Sequence, residues 1–197
     1  MNNRWCILGS PRSGSTRLIK SIFDKMPVID GSYNINLHEF FHQTVQGYYT
    51  TSGKNEVYKY DYTDDFRASF RKDIFNIMNN EQNIGFTLKV FFDPWHGPDI
   101  DYVEFLKNLE QYNFKFIKLN RELFDKVLSM TMSEQTNIWH RYTDNPDEYS
   151  LIVNKKAKIS ISLSKFAKNY YFFTKMYDYY CDLYSSHVKS LNVSYKI

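Results

Sequence analysis

Apolar residues fall along this chain in two rhythms, short continuous runs and stretches where they return every three or four positions. The run from Arg4 to Leu8 stops at Gly9 and predicts a buried strand. From Ser15 to Lys25, Leu18, Ile19, Ile22 and Phe23 share one face of a helix. Gly31 to Phe41 begins polar and is expected to turn helical around His38 and Glu39. Residues 45–62 carry tyrosines without a period and predict an irregular excursion. Between Asp64 and Asn79, charges alternate with Phe66, Phe70, Ile74 and Ile77, the pattern of an amphipathic helix. A strand from Ile84 to Phe92 is closed by Asp93-Pro94. A helix from about Asp101 to Tyr112, a strand from Phe114 to Leu119 and a long helix from Glu122 to about Arg141 follow. Thr143 to Asn154 reads as a loop, residues 162–187 as a helix rich in Tyr and Phe, and Leu191 to Tyr195 as a short final strand. Four strands alternating with helices predict an α/β fold of three layers, a central parallel sheet flanked by helices. No internal repeat or low-complexity linker divides the chain, so residues 1–197 are expected to form a single domain.

Composition narrows the class of protein. With 43% apolar and 18% aromatic residues the chain can bury a core, which excludes wholesale disorder. A net charge of +3 is too small to indicate a nucleic-acid partner. The two cysteines, Cys6 and Cys181, lie far apart in apolar or aromatic surroundings and read as buried thiols of a cytoplasmic protein. No basic segment followed by an apolar one opens the chain, and no apolar run reaches about 18 residues, so neither secretion nor a membrane span is expected.

The chemistry concentrates between the first strand and the first helix. Gly9-Ser-Pro-Arg12-Ser13-Gly14-Ser15-Thr16 has the glycine spacing and closing hydroxyl of a phosphate-binding P-loop, but Ser15 stands where the lysine belongs. Converging backbone N–H groups and the helix dipole suit such a loop to an anion. Arg12 adds a guanidinium able to grip it with two hydrogen bonds, and Ser13, Ser15 and Thr16 add hydroxyls. The plain alternative is a turn in which Ser13 or Ser15 caps the helix.

Pro11-Arg12-Ser13-Gly14-Ser15-Thr16 resembles the 5′-phosphosulfate loop of sulfotransferases that use 3′-phosphoadenosine-5′-phosphosulfate (PAPS), a family with a P-loop-NTPase-like fold lacking the P-loop lysine. A second family element is a strand ending in Arg with Ser eight residues on, and Arg121 and Ser129 match it about 105 residues downstream of the loop. Eight residues of helix span ~12 Å, so the two side chains meet one anion only if it lies against that helix. Gln135-Thr-Asn-Ile-Trp139-His140 and Leu37-His38-Glu39-Phe-Phe resemble segments of the bacterial trehalose 2-sulfotransferase-type branch, and Gly85-Phe-Thr-Leu-Lys89 loosely resembles its Gly-to-Lys strand. Arg17 departs from the tryptophan of many relatives. Val193-Ser-Tyr195-Lys196 has Lys for the Glu of a V-x-Y-E segment, and the chain stops where many relatives continue.

The resemblance implies sulfuryl transfer from PAPS to a hydroxyl of a small-molecule, carbohydrate or lipid acceptor, leaving adenosine 3′,5′-bisphosphate and requiring no metal. It implies donor binding by Arg12, Ser13, Gly14, Ser15, Thr16, Arg121 and Ser129, with Arg12 and Lys89 meeting the sulfuryl charge. Glu39 is the implied base, with His38 second, because the position two after the lysine is Phe91 rather than the His of steroid- and phenol-type enzymes. Bland readings remain for Lys89 as a snorkelling strand residue and Glu39 as a solvated helix residue. Trp139, His140 and the tyrosines of 48–62 are candidates for an acceptor pocket. A partner chain, as in a homodimer, is one open arrangement, and a descendant that binds nucleotide or sugar without turnover is the alternative function. Cys6 and Arg12 also match C-x5-R-[ST], the phosphatase signature, provided Cys6 sits where the strand ends.

Overall fold

A computed structural model describes residues 3–28, 33–39, 49–50, 64–81, 83–92, 101–136 and 160–195. Strands and helices alternate as β1 (Arg4–Gly9), α1 (Ser15–Lys25), β2 (Asn34–Glu39), β3 (Tyr49–Thr50), α2 (Asp64–Asn80), β4 (Gly85–Phe91), α3 (Tyr102–Gln111), β5 (Lys115–Arg121), α4 (Leu123–Thr136), α5 (Leu163–Phe172), α6 (Asp178–Ser185) and β6 (Ser190–Tyr195). A π-helical turn, Phe173–Tyr177, joins α5 to α6. The six strands among the described residues share one sheet, ordered β3-β2-β4-β1-β5-β6. Five run parallel, and only the two-residue β3 pairs antiparallel, with β2.

Alternation along β1 sends neighbouring side chains to opposite faces. Cys6 and Leu8 join Phe86, Leu88 and Phe116 on the face covered by α2, α3 and α6, through Ile74, Leu106 and Cys181 among others. Ile7 faces the other way and packs with Leu119 of β5 and Ile19 of α1. With both faces covered, the central β1 needs apolar residues on both sides, which is why it reads as a continuous run from Trp5 to Leu8. The expected parallel sheet flanked by helices is therefore present.

The stretch expected to turn helical around His38 is instead the strand β2. Its apolar residues, Ile35 and Leu37, are both fully buried and two positions apart, a strand period rather than a helical one. Asn34 and Asn36, which alternate with them, are buried as well. The Asn34 side chain accepts from the Gly85 N–H at 3.2 Å and donates to the Met26 and Pro27 carbonyls, so a residue that reads as surface is a buried linker. Asn36 pairs with Thr87 and Glu39 with Lys89, so β2 carries one extra residue and bulges just before Glu39.

The central strand β1 is flanked by β4 and β5, which are consecutive among the long strands of the chain. The chain thus crosses from one side of β1 to the other between them, and the crevice of an open α/β sheet lies at such a switch point, beyond the carboxyl ends of the strands. The Ser10–Gly14 loop emerges there. Most of the 45–62 excursion, the 143–154 loop and everything expected of Trp139 and His140 lie outside the described residues. No helix among the described residues is long and apolar enough to cross a membrane.

Candidate functional site

The loop after β1 is a tight turn closed by the Ser13 N–H donating to the Ser10 carbonyl at 3.3 Å. Arg12 and Gly14 have φ of 62° and 86°, on either side of Ser13, where φ is not positive. Alternation of this kind gathers successive N–H groups into a concave anion-receiving nest. α1 is preceded by Gly14 at its N-cap, with no side-chain cap and no acidic residue in its first turn, leaving its first N–H groups and the positive dipole end presented. Neither Ser13 nor Ser15 serves as the cap that the plain-turn reading needed. Ser13 is fully buried, with its hydroxyl turned inward. A β-carbon at Gly9 would sit 3.0 Å from that oxygen, so a glycine lets the loop fold back on its own strand.

Three residues far apart in sequence meet over this loop. Arg121, at the end of β5, donates from Nη1 to the Arg12 carbonyl at 2.9 Å, holding Arg12 in its left-handed conformation. The Arg12 guanidinium reaches Ser129 on α4, donating to its Oγ from Nε at 3.0 Å and Nη2 at 2.8 Å. Among the described residues Arg121 Nε is buried without a hydrogen-bond acceptor, with an Asp125 carboxylate oxygen 4.0 Å away. An unmet guanidinium N–H costs free energy, and an anion placed there would satisfy it.

Lys89 approaches from β4. It is 2% exposed, and its ammonium donates to Thr16 Oγ1 at 2.7 Å and lies 5.1 Å from the Phe91 ring centre. An ammonium from a neighbouring strand thus sits beside the loop's last hydroxyl. Glu39 is its register partner across the β2–β4 ladder, so the two backbones are neighbours there. The Glu39 and His38 side chains lie outside what is described, while Arg17 is exposed on α1.

Lys126, Asp178 and Ser10 join the site without having been singled out in the sequence. Lys126 Nζ bonds both Asp178 oxygens, at 2.5 and 2.6 Å, and Ser10 Oγ at 3.2 Å. Beneath the ammonium lies the Phe173 ring, 5.6 Å away. A cavity of about 250 Å³ opens beside them, lined by Ser10, Leu119, Arg121, Lys126, Asp178 and Cys181 among others. The available signal was Lys126 itself, a charged residue on the side of a helix where Val127, Thr131 and Ser133 are also buried.

Cys6 is fully buried inside β1, three residues before its end, and burial pushes its thiol well above the usual range. A phosphatase nucleophile must be a thiolate at the mouth of the loop, so the C-x5-R-[ST] reading lacks its reactive group. Among the described residues no cluster of three or more His, Cys, Asp or Glu could hold a metal ion. Comparison with known proteins finds no matching family model, no matching curated protein and no matching solved structure.

Proposed function

We propose that the chain is a sulfotransferase, taking a sulfuryl group from PAPS and placing it on a hydroxyl of a small-molecule, carbohydrate or lipid acceptor. The observation that carries this reading is the meeting of Arg12, Arg121 and Ser129, residues of two segments that the family resemblance had linked across more than 100 residues. The unmet Arg121 Nε fits an anionic group of the donor. The donor supplies an activated sulfuryl group; the chain's residues bind, orient and balance charge. Arg121 and Ser129 would hold the 3′-phosphate, and the N–H groups opening α1 would receive the 5′-phosphate. Arg12 and Lys89 would offset charge growing on the leaving oxygen and the transferring group. Glu39, next to Lys89 across the ladder, would take the acceptor's proton. A P-loop-NTPase-like fold belongs to the same proposal, supported by the central β1 leading through the loop into α1 at the switch point.

A second reading is favoured by one feature. Arg12 and Lys89, the two cations assigned to the sulfuryl group, already bond hydroxyls of the protein itself, Ser129 and Thr16. A module that binds nucleotide or sugar without turnover needs nothing more. Calorimetry with adenosine 3′,5′-bisphosphate, beside transfer of labelled sulfuryl from PAPS to a panel of sugars and lipids, separates the readings. The enzyme binds and transfers; the module binds and never transfers. No binding of either nucleotide overturns the sulfotransferase and a nucleotide-binding module alike.

A further inference from the structure

We propose that Lys126, Asp178 and Ser10 form a clamp that holds the Ser10–Gly14 loop in its anion-receiving shape, with Lys126 a positioning residue acting through Ser10. The inference rests on reading this loop as an anion site, though not on PAPS being the anion.

The loop needs holding. Arg12 sits in left-handed backbone space that non-glycine residues adopt at a cost, and such conformations persist where the surroundings impose them. One restraint is the Arg121 bond to the Arg12 carbonyl. The other must fix the loop's entry, and Ser10 is that entry. Its carbonyl closes the turn by accepting from Ser13, and its hydroxyl bonds the Lys126 ammonium. Arg121 and Lys126 flank the start of α4, so one helix end grips the loop at two points.

The ion pair suits this task better than it suits plain stability. Lys126 is 5% exposed, and a buried ammonium is costly unless paired, which Asp178 achieves with both oxygens. A pair of apolar residues would fill the same space at least as well for stability, yet could not bond the Ser10 hydroxyl. Asp178 also follows directly on the π-helical turn Phe173–Tyr177, whose wider winding rotates the residues after it relative to a plain α-helix. Thr174, within that turn, donates back to the Tyr170 and Tyr171 carbonyls. Single π-turns inside helices recur at functional sites, where they re-aim a side chain. Here the residue re-aimed is the carboxylate that anchors Lys126.

Backbone amide exchange tests the clamp without any ligand. In Ser10→Ala, amides 12–16 should exchange about tenfold faster while those of β4 keep their rates, because only a local opening is released. Lys126→Met should show the same loop signature, and Ser10→Thr, which keeps the hydroxyl, should return exchange to the wild-type rate. Unchanged loop exchange in Ser10→Ala, or a Ser10→Thr loop as fast as the alanine variant, overturns the proposal even if Lys126→Met fails to fold. Calorimetry with adenosine 3′,5′-bisphosphate on the same proteins separates the two levels. Wild-type binding weakened about tenfold in Ser10→Ala supports both the clamp and the donor reading. Faster loop exchange with no binding by the wild type upholds the clamp and overturns the donor. Intact binding with equal exchange in Ser10→Ala upholds the donor and overturns the clamp.

Discussion

Arg4 and Arg12 flank β1 at opposite ends and meet helices of opposite polarity. Arg4 is buried and donates to the carbonyls of Met78, Glu81 and Tyr112, at the C-terminal ends of α2 and α3, where helix dipoles are negative. Burial lowers its pKa, the direction expected when a cation leaves water. Arg12 stands instead at the positive start of α1, where its charge adds to the dipole and favours an anion. One arginine therefore completes the fold, and the other stands at the loop proposed to receive an anion. Arg121 belongs with the second. Arg121→Ala should weaken adenosine 3′,5′-bisphosphate binding by about 100-fold, since a lost charge-assisted contact is worth roughly 1.5–3 kcal/mol. Arg121→Lys should recover only part of that, because a point charge cannot reproduce the fork that also reaches the Arg12 carbonyl. Calorimetry on variants with wild-type urea midpoints checks both, and undiminished binding in Arg121→Ala sinks the assignment. Glu39→Gln should abolish sulfuryl transfer while leaving bisphosphate affinity unchanged. An unaltered rate would move the base to His38.

Elements were legible where one kind of side chain dominated a face. β1 read correctly because a strand covered on both faces is apolar nearly throughout, and β4 and β5 because Phe86, Leu88 and Val90, and Phe116, Ile117 and Leu119, stand out despite Lys89 and Lys118. α3 read correctly because Phe105, Leu106 and Leu109 share one buried face and Asp101 caps its start through the Glu104 N–H at 2.9 Å. β2 did not, since its asparagines look like loop residues until Gly85 and Met26 are seen to bond Asn34. The same limit applied to the site. Arg121 and Ser129 could be paired through the family resemblance, whereas the reach of Arg12 to Ser129 and of Lys126 to Asp178 depends on tertiary placement. Gly85 lets the β2–β4 seam be tested. A β-carbon there would collide with the Asn34 side chain and the end of Met26, and would lie 3.0 Å from the Asn3 carbonyl, which accepts from Phe86. Gly85→Ala should cost about 3 kcal/mol, in the range of overpacked cores, read as a lower urea midpoint at unchanged slope. A wild-type midpoint would mean that β2 shifts freely against β4, and with it the placement of Glu39 beside Lys89.

At the scale of the whole molecule, the two buried thiols tie stability to alkaline pH. Cys6 is fully buried and Cys181 nearly so, and both are free. Burial raises both thiols, Cys181 to about 12 from the ordinary 9.0, with the nearby Lys118 opposing the shift and Asp182 adding to it. The sign follows from proton counting. Above pH 9 the unfolded chain releases these protons while the folded chain keeps them, so the unfolded state binds fewer and stability falls as pH rises. Each thiol adds a slope of about 1.4 kcal/mol per pH unit between its unfolded and folded values, and nothing near neutrality. Tyrosines and lysines titrate in the same range, so the measurement is a difference. Cys181→Ser should be less stable than wild type at pH 7.5, because it places a hydroxyl in a site shaped for sulfur. From pH 9 to 10.5 that gap should narrow by about 1.4 kcal/mol per unit, since only the wild type still loses the thiol's contribution. A constant gap in urea titrations across this range would show that Cys181 is not held protonated by the fold. The same burial keeps Cys6 from acting as a nucleophile, so iodoacetamide at pH 8 should modify it no faster than the protein unfolds.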